Sequence, residues 1–379
     1  MEQLTRRSLL ATSATVTAGA LAGCLGSVDP AGGEEASAVE ASFYVLGDFG
    51  GRVGGDALDV GTLVPFGQHG HGWQPSSDLQ REVREAQVFL YMGEGFQPWA
   101  DDVVRSLEED DADVSVVAAR EGVELLGGDG HDHEGDHGEE DEGNHSHEED
   151  EHGEDGHQEG NHSEDEHDHE SEENHSEDDH SEDEGGHENE TSDGGDGGHD
   201  HSGEDPHFWL DPTRAVVAVE TIRDGFVAHF PDEEGTLRDN ADAFAEELDA
   251  LDAEFEEALS DRSAEAVLVA GHNAFQYLGE RYDFEVYALT DLSPDDSPTT
   301  SDVRRAQEII EREGIEYVLA PVFESDRAAT QLVEETDATE VLPITALAGF
   351  REEWEEEGWG YLDVMREVNL KSLRTALGA

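Results

Sequence analysis

TLRDNADAFAEELDALDAEFEEAL, residues 236–259, is the longest helical pattern in the chain and divides it into two halves. Its large apolar residues recur every three or four positions, so they form one stripe on a helix of about seven turns. These residues are Leu237, Phe244, Leu248, Leu251, Phe255 and Leu259. Short apolar runs on both sides, such as 88–92 and 266–270, are typical of strands buried in parallel sheets. We therefore expect an α/β protein with two α/β lobes joined by one long rigid helix.

Strand and helix patterns alternate in both halves. The predicted strands lie at 42–46, before 65, and at 88–92, 114–118, 266–270, 317–320 and 340–342. Helices are predicted from 75 onward and at 103–107, 303–312, 328–335 and 361–377, while the glycine-rich residues 47–55 indicate a turn. The expected organisation is an N-terminal lobe at 41–126 and 206–235, a linker helix at 236–260 and a C-terminal lobe at 261–379.

The charge of the chain is extreme. It has 97 acidic and 20 basic residues in 379, a net charge of −77. Such a surface repels nucleic acid and anionic lipid, so neither is an expected partner. An acid excess spread along the chain suits solubility in concentrated salt, where charge repulsion is screened, and we expect a halophilic source.

The first 24 residues have the pattern of a targeting segment. Arg6 and Arg7 precede a short run of small apolar residues, as in a twin-arginine signal peptide. The following LAGC (21–24) resembles a lipobox and contains Cys24, the only cysteine in the chain. We expect lipidation of Cys24 on the outer face of the cytoplasmic membrane, with residues 25–40 as a tether. The alternative is an ordinary signal peptide with an incidental cysteine.

Residues 127–205 interrupt the globular pattern. They contain 35 acidic residues, 15 of the 20 histidines, no Lys or Arg and no large apolar side chain. Such a segment cannot form a core, so we expect disorder. Acidity alone does not require 15 histidines, which favours metal capture over a merely solvated charge run.

Three of the remaining histidines occupy informative positions. His71 follows the second predicted strand, His207 lies in DPHFWLDP (205–212), and His272 directly follows the strand 266–270. Ligands of α/β proteins collect at the carboxyl ends of strands, and three imidazoles converging there suit Zn²⁺. Taken singly, each histidine is more typical of a surface or hydrogen-bonding residue. With one cysteine, a cysteine-based metal site is excluded.

Several fragments together resemble the zinc/manganese substrate-binding proteins of ABC importers. The most specific is DPHFWLDP (205–212); others are HGWQPSSD (71–78), GEGFQPW (93–99), HNAFQY (272–277) and YLDVMR (361–366). The resemblance covers nearly all of residues 42–377 outside the His-rich tract. It implies that His71, His207 and His272 are metal ligands in a cleft between the lobes. It also implies delivery to an ABC permease, and the tract is a feature of the zinc branch.

Two positions leave the ligand set open. Manganese-type members have an Asp ligand after the last strand, where this chain has Thr345, and a site without that carboxylate favours Zn²⁺. Glu324 or Asp326 could be an additional ligand instead. His69 lies two residues before His71 and could replace it.

Alternative functions remain within the same expected fold. They are a Mn²⁺ or Fe²⁺ receptor, and an extracellular zinc buffer or adhesion lipoprotein. A zinc hydrolase is disfavoured because the chain has no His-Glu-x-x-His motif to provide a general base. We expect a monomer without enzymatic activity.

Overall fold

The structure is a computed structural model and describes residues 37–65, 73, 75–127, 203–293 and 296–379. Eight strands lie within these ranges. They are β1 Val39–Ala41, β2 Val60–Thr62, β3 Val88–Tyr91, β4 Ser115–Ala118, β5 Ala266–His272, β6 Glu285–Thr290, β7 Tyr317–Pro321 and β8 Glu340–Ile344. They form two parallel four-stranded sheets, with strand orders β2-β1-β3-β4 and β6-β5-β7-β8. The expected pair of α/β lobes is confirmed.

Helices connect the strands as parallel pairing requires. They are α1 Tyr44–Gly54, α2 Ser77–Glu85, α3 Pro98–Glu109, α4 Pro212–His229, α5 Glu234–Leu259, α6 Gln276–Tyr282, α7 Thr300–Glu313, α8 Arg327–Glu335, α9 Glu352–Glu356, α10 Tyr361–Val364 and α11 Lys371–Leu377. A π-helix, Met365–Leu370, joins α10 to α11. The helix predicted at 236–259 is α5, and all six apolar residues of its stripe are buried.

The prediction for the first strand and turn is wrong. The strand is Val39–Ala41, and residues 44–54 form helix α1 although they contain four glycines. The glycines allow close packing of α1 on the sheet: a Cβ on Gly50 would lie 3.1 Å from Leu90 Cδ2 and 3.2 Å from Val60 Cγ1. Tertiary packing has overridden the low helix propensity of glycine.

One hydrophobic cluster contains residues of both lobes, from Val39 in β1 to Leu377 in α11. A second, smaller cluster covers the other face of the second sheet, because alternate residues of a strand point to opposite faces. In β5, Val267 and Val269 belong to the first cluster, and Leu268 and Ala270 to the second. In the part of the chain that the structure describes, no helix is long and apolar enough to cross a membrane.

Chain contacts separate residues 127–205 from the unit that contains both sheets. Of that segment the structure describes only 127 and 203–205, where Gly127 and Glu204 form an antiparallel bridge. The expected signal peptide and Cys24, most of the tether and the expected disorder of the tract lie outside the described residues. The domain boundaries given above stay predictions.

Candidate metal centre

His272 is the last residue of β5, a strand buried along its whole length. The residue is 2% exposed. The pairing of β5 with β6 is irregular between Val269 and His272, a kind of irregularity that can redirect a side chain at a sheet edge. The sequence prediction that this imidazole lies at the carboxyl edge of the sheet is therefore met.

Glu324 fixes the orientation of the His272 ring. Glu324 Oε1 lies 2.5 Å from His272 Nδ1, and Glu324 Oε2 accepts a hydrogen bond of 3.3 Å from the His272 backbone N–H. The carboxylate reaches this position because residue 271 is glycine; a Cβ there would lie 2.5 Å from Glu324 Oε2. A carboxylate at Nδ1 favours the tautomer with its proton on Nδ1 and a lone pair on Nε2.

The other ring nitrogen of His272 is available for a ligand. Nε2 is buried and makes no hydrogen bond to any part of the chain that the structure describes. A buried polar atom without a partner costs free energy of about 1–3 kcal/mol. A metal ion at Nε2 would satisfy it, so the residue fits the predicted role of a zinc ligand.

His207 lies next to His272. It precedes the 3₁₀-helix Phe208–Leu210 and helix α4, and its side chain is completely buried. Asp211 holds this turn in place, since its Oδ1 accepts a hydrogen bond of 2.8 Å from Thr213 N at the start of α4. The His207 and His272 ring centroids are 5.3 Å apart, with 50° between the ring planes.

Aromatic side chains surround His207. Its ring centroid is 5.3 Å from that of Trp209, and Trp209 in turn lies 5.4 Å from Phe43 and 5.5 Å from Phe96. Trp209 Nε1 donates a hydrogen bond of 2.7 Å to the Ala346 carbonyl. Trp209 thus packs on the His207 ring, and Phe43 and Phe96 pack on Trp209.

Thr345, at the position expected for an Asp ligand, is held by Asn369. The Asn369 side chain accepts a hydrogen bond from Thr345 N and donates one to the Thr345 carbonyl, both 2.9 Å long. Thr345 Oγ1 accepts a third bond, of 3.0 Å, from Leu347 N. Thr345 is thus buried and hydrogen-bonded, and its residue type offers no carboxylate to a cation.

The remaining candidates differ in what the structure says of them. His69 and His71 lie outside the described residues. Asp326 is at the N-terminus of α8. His229, which is not a candidate ligand, has its Nδ1 2.8 Å from Ser115 Oγ. Within the described ranges, no group of three or more His, Cys, Asp or Glu side chains could hold a metal ion. The described part of the candidate site therefore consists of His207, His272 and the Glu324 carboxylate beside His272.

Direct contacts hold the two lobes together around the histidine pair. Tyr361 Oη donates a hydrogen bond to the Trp209 carbonyl, and Tyr277 Oη accepts one of 2.9 Å from Leu126 N. The Tyr44 ring stacks on the Phe350 ring at a centroid distance of 4.0 Å. These contacts and the shared core fix the position of His207 relative to His272.

The comparisons with known proteins point to one family. Residues 39–376 match the family described as zinc-uptake complex component A, periplasmic. Zinc-binding lipoprotein AdcA of Streptococcus pneumoniae is 29% identical over 335 residues, which cover 88% of this chain and 54% of AdcA. High-affinity zinc uptake system protein ZnuA of Bacillus subtilis is 25% identical over 340 residues, which cover 89% of this chain and 87% of that protein.

Solved structures agree on the fold. The Zn(II)-bound ZnuA-like domain of Streptococcus pneumoniae AdcA superimposes with a TM-score of 0.62 at 24% identity, covering 90% of this chain and 98% of that domain. The chain spans about half the length of the AdcA relatives that it matches. The family indicated by the sequence fragments is confirmed, and so is the choice of its zinc branch.

Proposed function

Because the chain belongs to the family of periplasmic zinc-uptake component A, we propose that it captures Zn²⁺ for an ABC-type importer and delivers the ion to the permease. We propose His71, His207 and His272 as the ligands, in the cleft between the lobes. The protein acts outside the cytoplasm, anchored through Cys24, and binds its cargo without transforming it.

The observation that carries this proposal is the state of His272. Its Nδ1 faces the Glu324 carboxylate, 2.5 Å away, while its buried Nε2 has no hydrogen-bond partner in the described residues. Zinc-binding histidines typically use one ring nitrogen for the metal and the other for a carboxylate or carbonyl. We therefore propose that Glu324 positions the ligand His272 and is not a ligand in its own right.

His207 can share an ion with His272. Zn–N bonds are about 2.0–2.1 Å long, and ring centroids 5.3 Å apart allow both imidazoles to reach one tetrahedral ion with small rotations. The two residues precede α4 and end β5, so the ion would join segments on either side of α5. His71 is the proposed third ligand, from the loop after β2.

The donor set favours zinc over manganese. Thr345 replaces the carboxylate ligand of manganese-type relatives, and its backbone groups are bound by Asn369. Imidazole nitrogen suits borderline Zn²⁺, whereas Mn²⁺ prefers oxygen ligands. Three histidines without a carboxylate therefore support selective zinc capture.

Zinc titration of the full chain tests the ligand assignment. The titration is done in competition with a tight chelator, which keeps free Zn²⁺ too low to fill the weaker sites expected in the His-rich tract. The measured affinity is then that of the tightest site. Replacing a residue that only orients a metal ligand typically lowers metal affinity about 10–100-fold. Replacing a ligand itself should cost more, so His207→Ala and His272→Ala should each lower zinc affinity more than about 100-fold. His229→Ala is the matched control and should bind as the unchanged protein does. Unchanged affinity in His272→Ala would remove that residue from the site.

Delivery needs a separate test. Cells that contain the cognate permease should take up ⁶⁵Zn²⁺ only when this protein is present. The His272→Ala variant should lose this uptake. Zinc binding without any effect on uptake would indicate an extracellular zinc buffer and would contradict the transport role.

A further inference from the structure

Arg214, in the first turn of α4, donates hydrogen bonds to three separate acceptors. Its Nη1 donates a hydrogen bond of 2.6 Å to Asp211 Oδ2, and its Nε donates one of 3.0 Å to the Glu124 carbonyl. Its Nη2 donates one of 2.9 Å to Glu280 Oε2. The Arg214 side chain is 18% exposed. A guanidinium suits this position because it presents several donors in a rigid planar fork.

The partners of Arg214 belong to both lobes. Glu124 follows β4 in the first lobe, whereas Glu280 lies in α6 of the second lobe. The guanidinium carbon also lies 4.9 Å from the centroid of the Tyr277 ring in α6, which is a cation–π distance. Helix α6 follows His272, the last residue of β5, after a short loop. Arg214 therefore connects the first lobe to the helix that comes next in the chain after His272.

Asp211 links Arg214 to His207. Asp211 is 1% exposed, and its Oδ1 accepts hydrogen bonds from Thr213 N, at 2.8 Å, and from Thr213 Oγ1, at 2.7 Å. It ends the 3₁₀-helix that begins after His207, in which Leu210 N donates a hydrogen bond of 3.1 Å to the His207 carbonyl. A buried carboxylate that loses its cationic partner is strongly unfavourable. Loss of Arg214 should therefore displace this turn, and His207 with it.

We propose that Arg214 is a positioning residue of the zinc site, which fixes His207 through Asp211 and binds the second lobe through α6. A guanidinium has no acceptor atom, so Arg214 cannot bind the ion and acts only through the residues that it contacts. The separation of the two histidine side chains then depends on Arg214. This inference rests on the proposed function, because it assumes that His207 and His272 bind zinc.

Replacement of Arg214 should weaken zinc binding although the residue is not a ligand. Arg214→Ala should lower zinc affinity about 10–100-fold, as is typical of residues that orient metal ligands. Arg214→Lys keeps the charge but offers one ammonium group to three acceptors, so it should restore only part of this loss. Affinity is measured on the full chain in competition with a tight chelator, which keeps weaker sites empty.

Arg223→Ala is the matched control. Arg223 lies on the same helix and its side chain is 15% exposed, but its ion pairs are with Glu220 and Asp224 of α4 itself. This variant should bind zinc as the unchanged protein does. Both alanine variants remove one positive charge, which by itself should favour binding of a cation. A weaker affinity in Arg214→Ala alone would therefore report the loss of positioning and not a change in net charge.

Bound Co²⁺ provides a readout that loss of stability alone would not change. Co²⁺ binds the same kind of nitrogen site as Zn²⁺, and its visible absorption depends on the arrangement of its ligands. The spectrum is recorded with one Co²⁺ per protein, so that the tightest site is filled. Arg214→Ala should alter this spectrum, whereas Arg223→Ala should leave it unchanged.

Three outcomes would overturn the inference. If Arg214→Ala loses thermal stability but keeps the affinity and the Co²⁺ spectrum of Arg223→Ala, the role of Arg214 is only structural. Unchanged zinc affinity in Arg214→Lys would also contradict the inference, even if Arg214→Ala does not fold. Unchanged zinc affinity in His207→Ala would instead refute the ligand assignment, and the role of Arg214 would fall with it.

Discussion

The two sheets have the same strand order, but the residues at the ends of corresponding strands differ in role. In the first sheet β1 pairs with β2 and β3, and in the second β5 pairs with β6 and β7. Phe43 follows β1 and is fully buried in the core, whereas β5 ends in His272. The chain near the end of β1 thus carries a packing residue, and the end of β5 carries a candidate metal ligand.

The same asymmetry recurs at the neighbouring strands β3 and β7. Met92 follows β3 and is 1% exposed in the core, while the segment after β7 carries Glu324, which contacts His272. The first lobe therefore forms the apolar wall near His207, and the second provides His272 together with its carboxylate partner. Strand order alone therefore does not determine which sheet edge can bind a metal. The residue types near the strand ends determine it.

The largest effects are expected from two variants, one of which should lose stability and the other zinc affinity. Phe43→Ala removes a fully buried ring and should lower the free energy of unfolding by about 3–5 kcal/mol, while zinc affinity of the folded fraction changes less than about tenfold. His272→Ala should do the reverse, with affinity reduced more than about 100-fold. Denaturant unfolding and chelator competition measure the two quantities. Equal effects of both variants on zinc affinity would refute the division of roles.

The contribution of Glu324 should be smaller than that of a ligand. Glu324→Ala removes the group that orients His272 and should lower zinc affinity about 10–100-fold. Glu324→Gln keeps an acceptor oxygen and should lose less. Glu311→Gln, on an exposed face of α7, is the control for the change in net charge. If Glu324→Gln and Glu324→Ala both lose as much zinc affinity as His272→Ala, the carboxylate is itself a ligand and the positioning role is wrong.

Asn369 tests how the second lobe holds the loop after β8. Asn369→Ala would leave the buried N–H and carbonyl of Thr345 without their partner, so we expect a loss of about 1–3 kcal/mol in unfolding free energy. Thr375→Ala, at an exposed position of α11, should change stability little. Zinc affinity of Asn369→Ala should stay within about tenfold, because Thr345 is not a proposed ligand. A large loss of affinity with unchanged stability would place this loop in the metal site.

The sequence predicted correctly those helices and strands in which the pattern of apolar residues matches the residues that are buried in the structure. The stripe of α5 and the apolar strand β5 are found as expected, because each buries every large residue of its pattern. Helix α1 was missed, since its glycines serve contacts with distant strands that local propensity does not reveal. Glu324 lies 52 positions after His272 in the chain. The sequence could therefore suggest that the two residues are close, but not that the carboxylate contacts Nδ1 of the imidazole. The third ligand, His71, stays a prediction.

The smallest expected effect is on stability and concerns two adjacent glycines of α1. It tests the close packing of α1 on the sheet, which the sequence did not reveal. A Cβ on Gly50 would lie within 3.2 Å of both Leu90 and Val60, whereas one on Gly51 would meet nothing within 4 Å. Both alanine variants gain the same helix propensity, so the difference between them measures crowding alone. Gly51→Ala should raise the free energy of unfolding by about 0.5–1 kcal/mol. Gly50→Ala should be less stable than Gly51→Ala by about 1–3 kcal/mol, as overpacked cores usually are. Equal stability in denaturant unfolding would show that α1 can move away from its sheet, and that the first lobe is less tightly packed than these distances require.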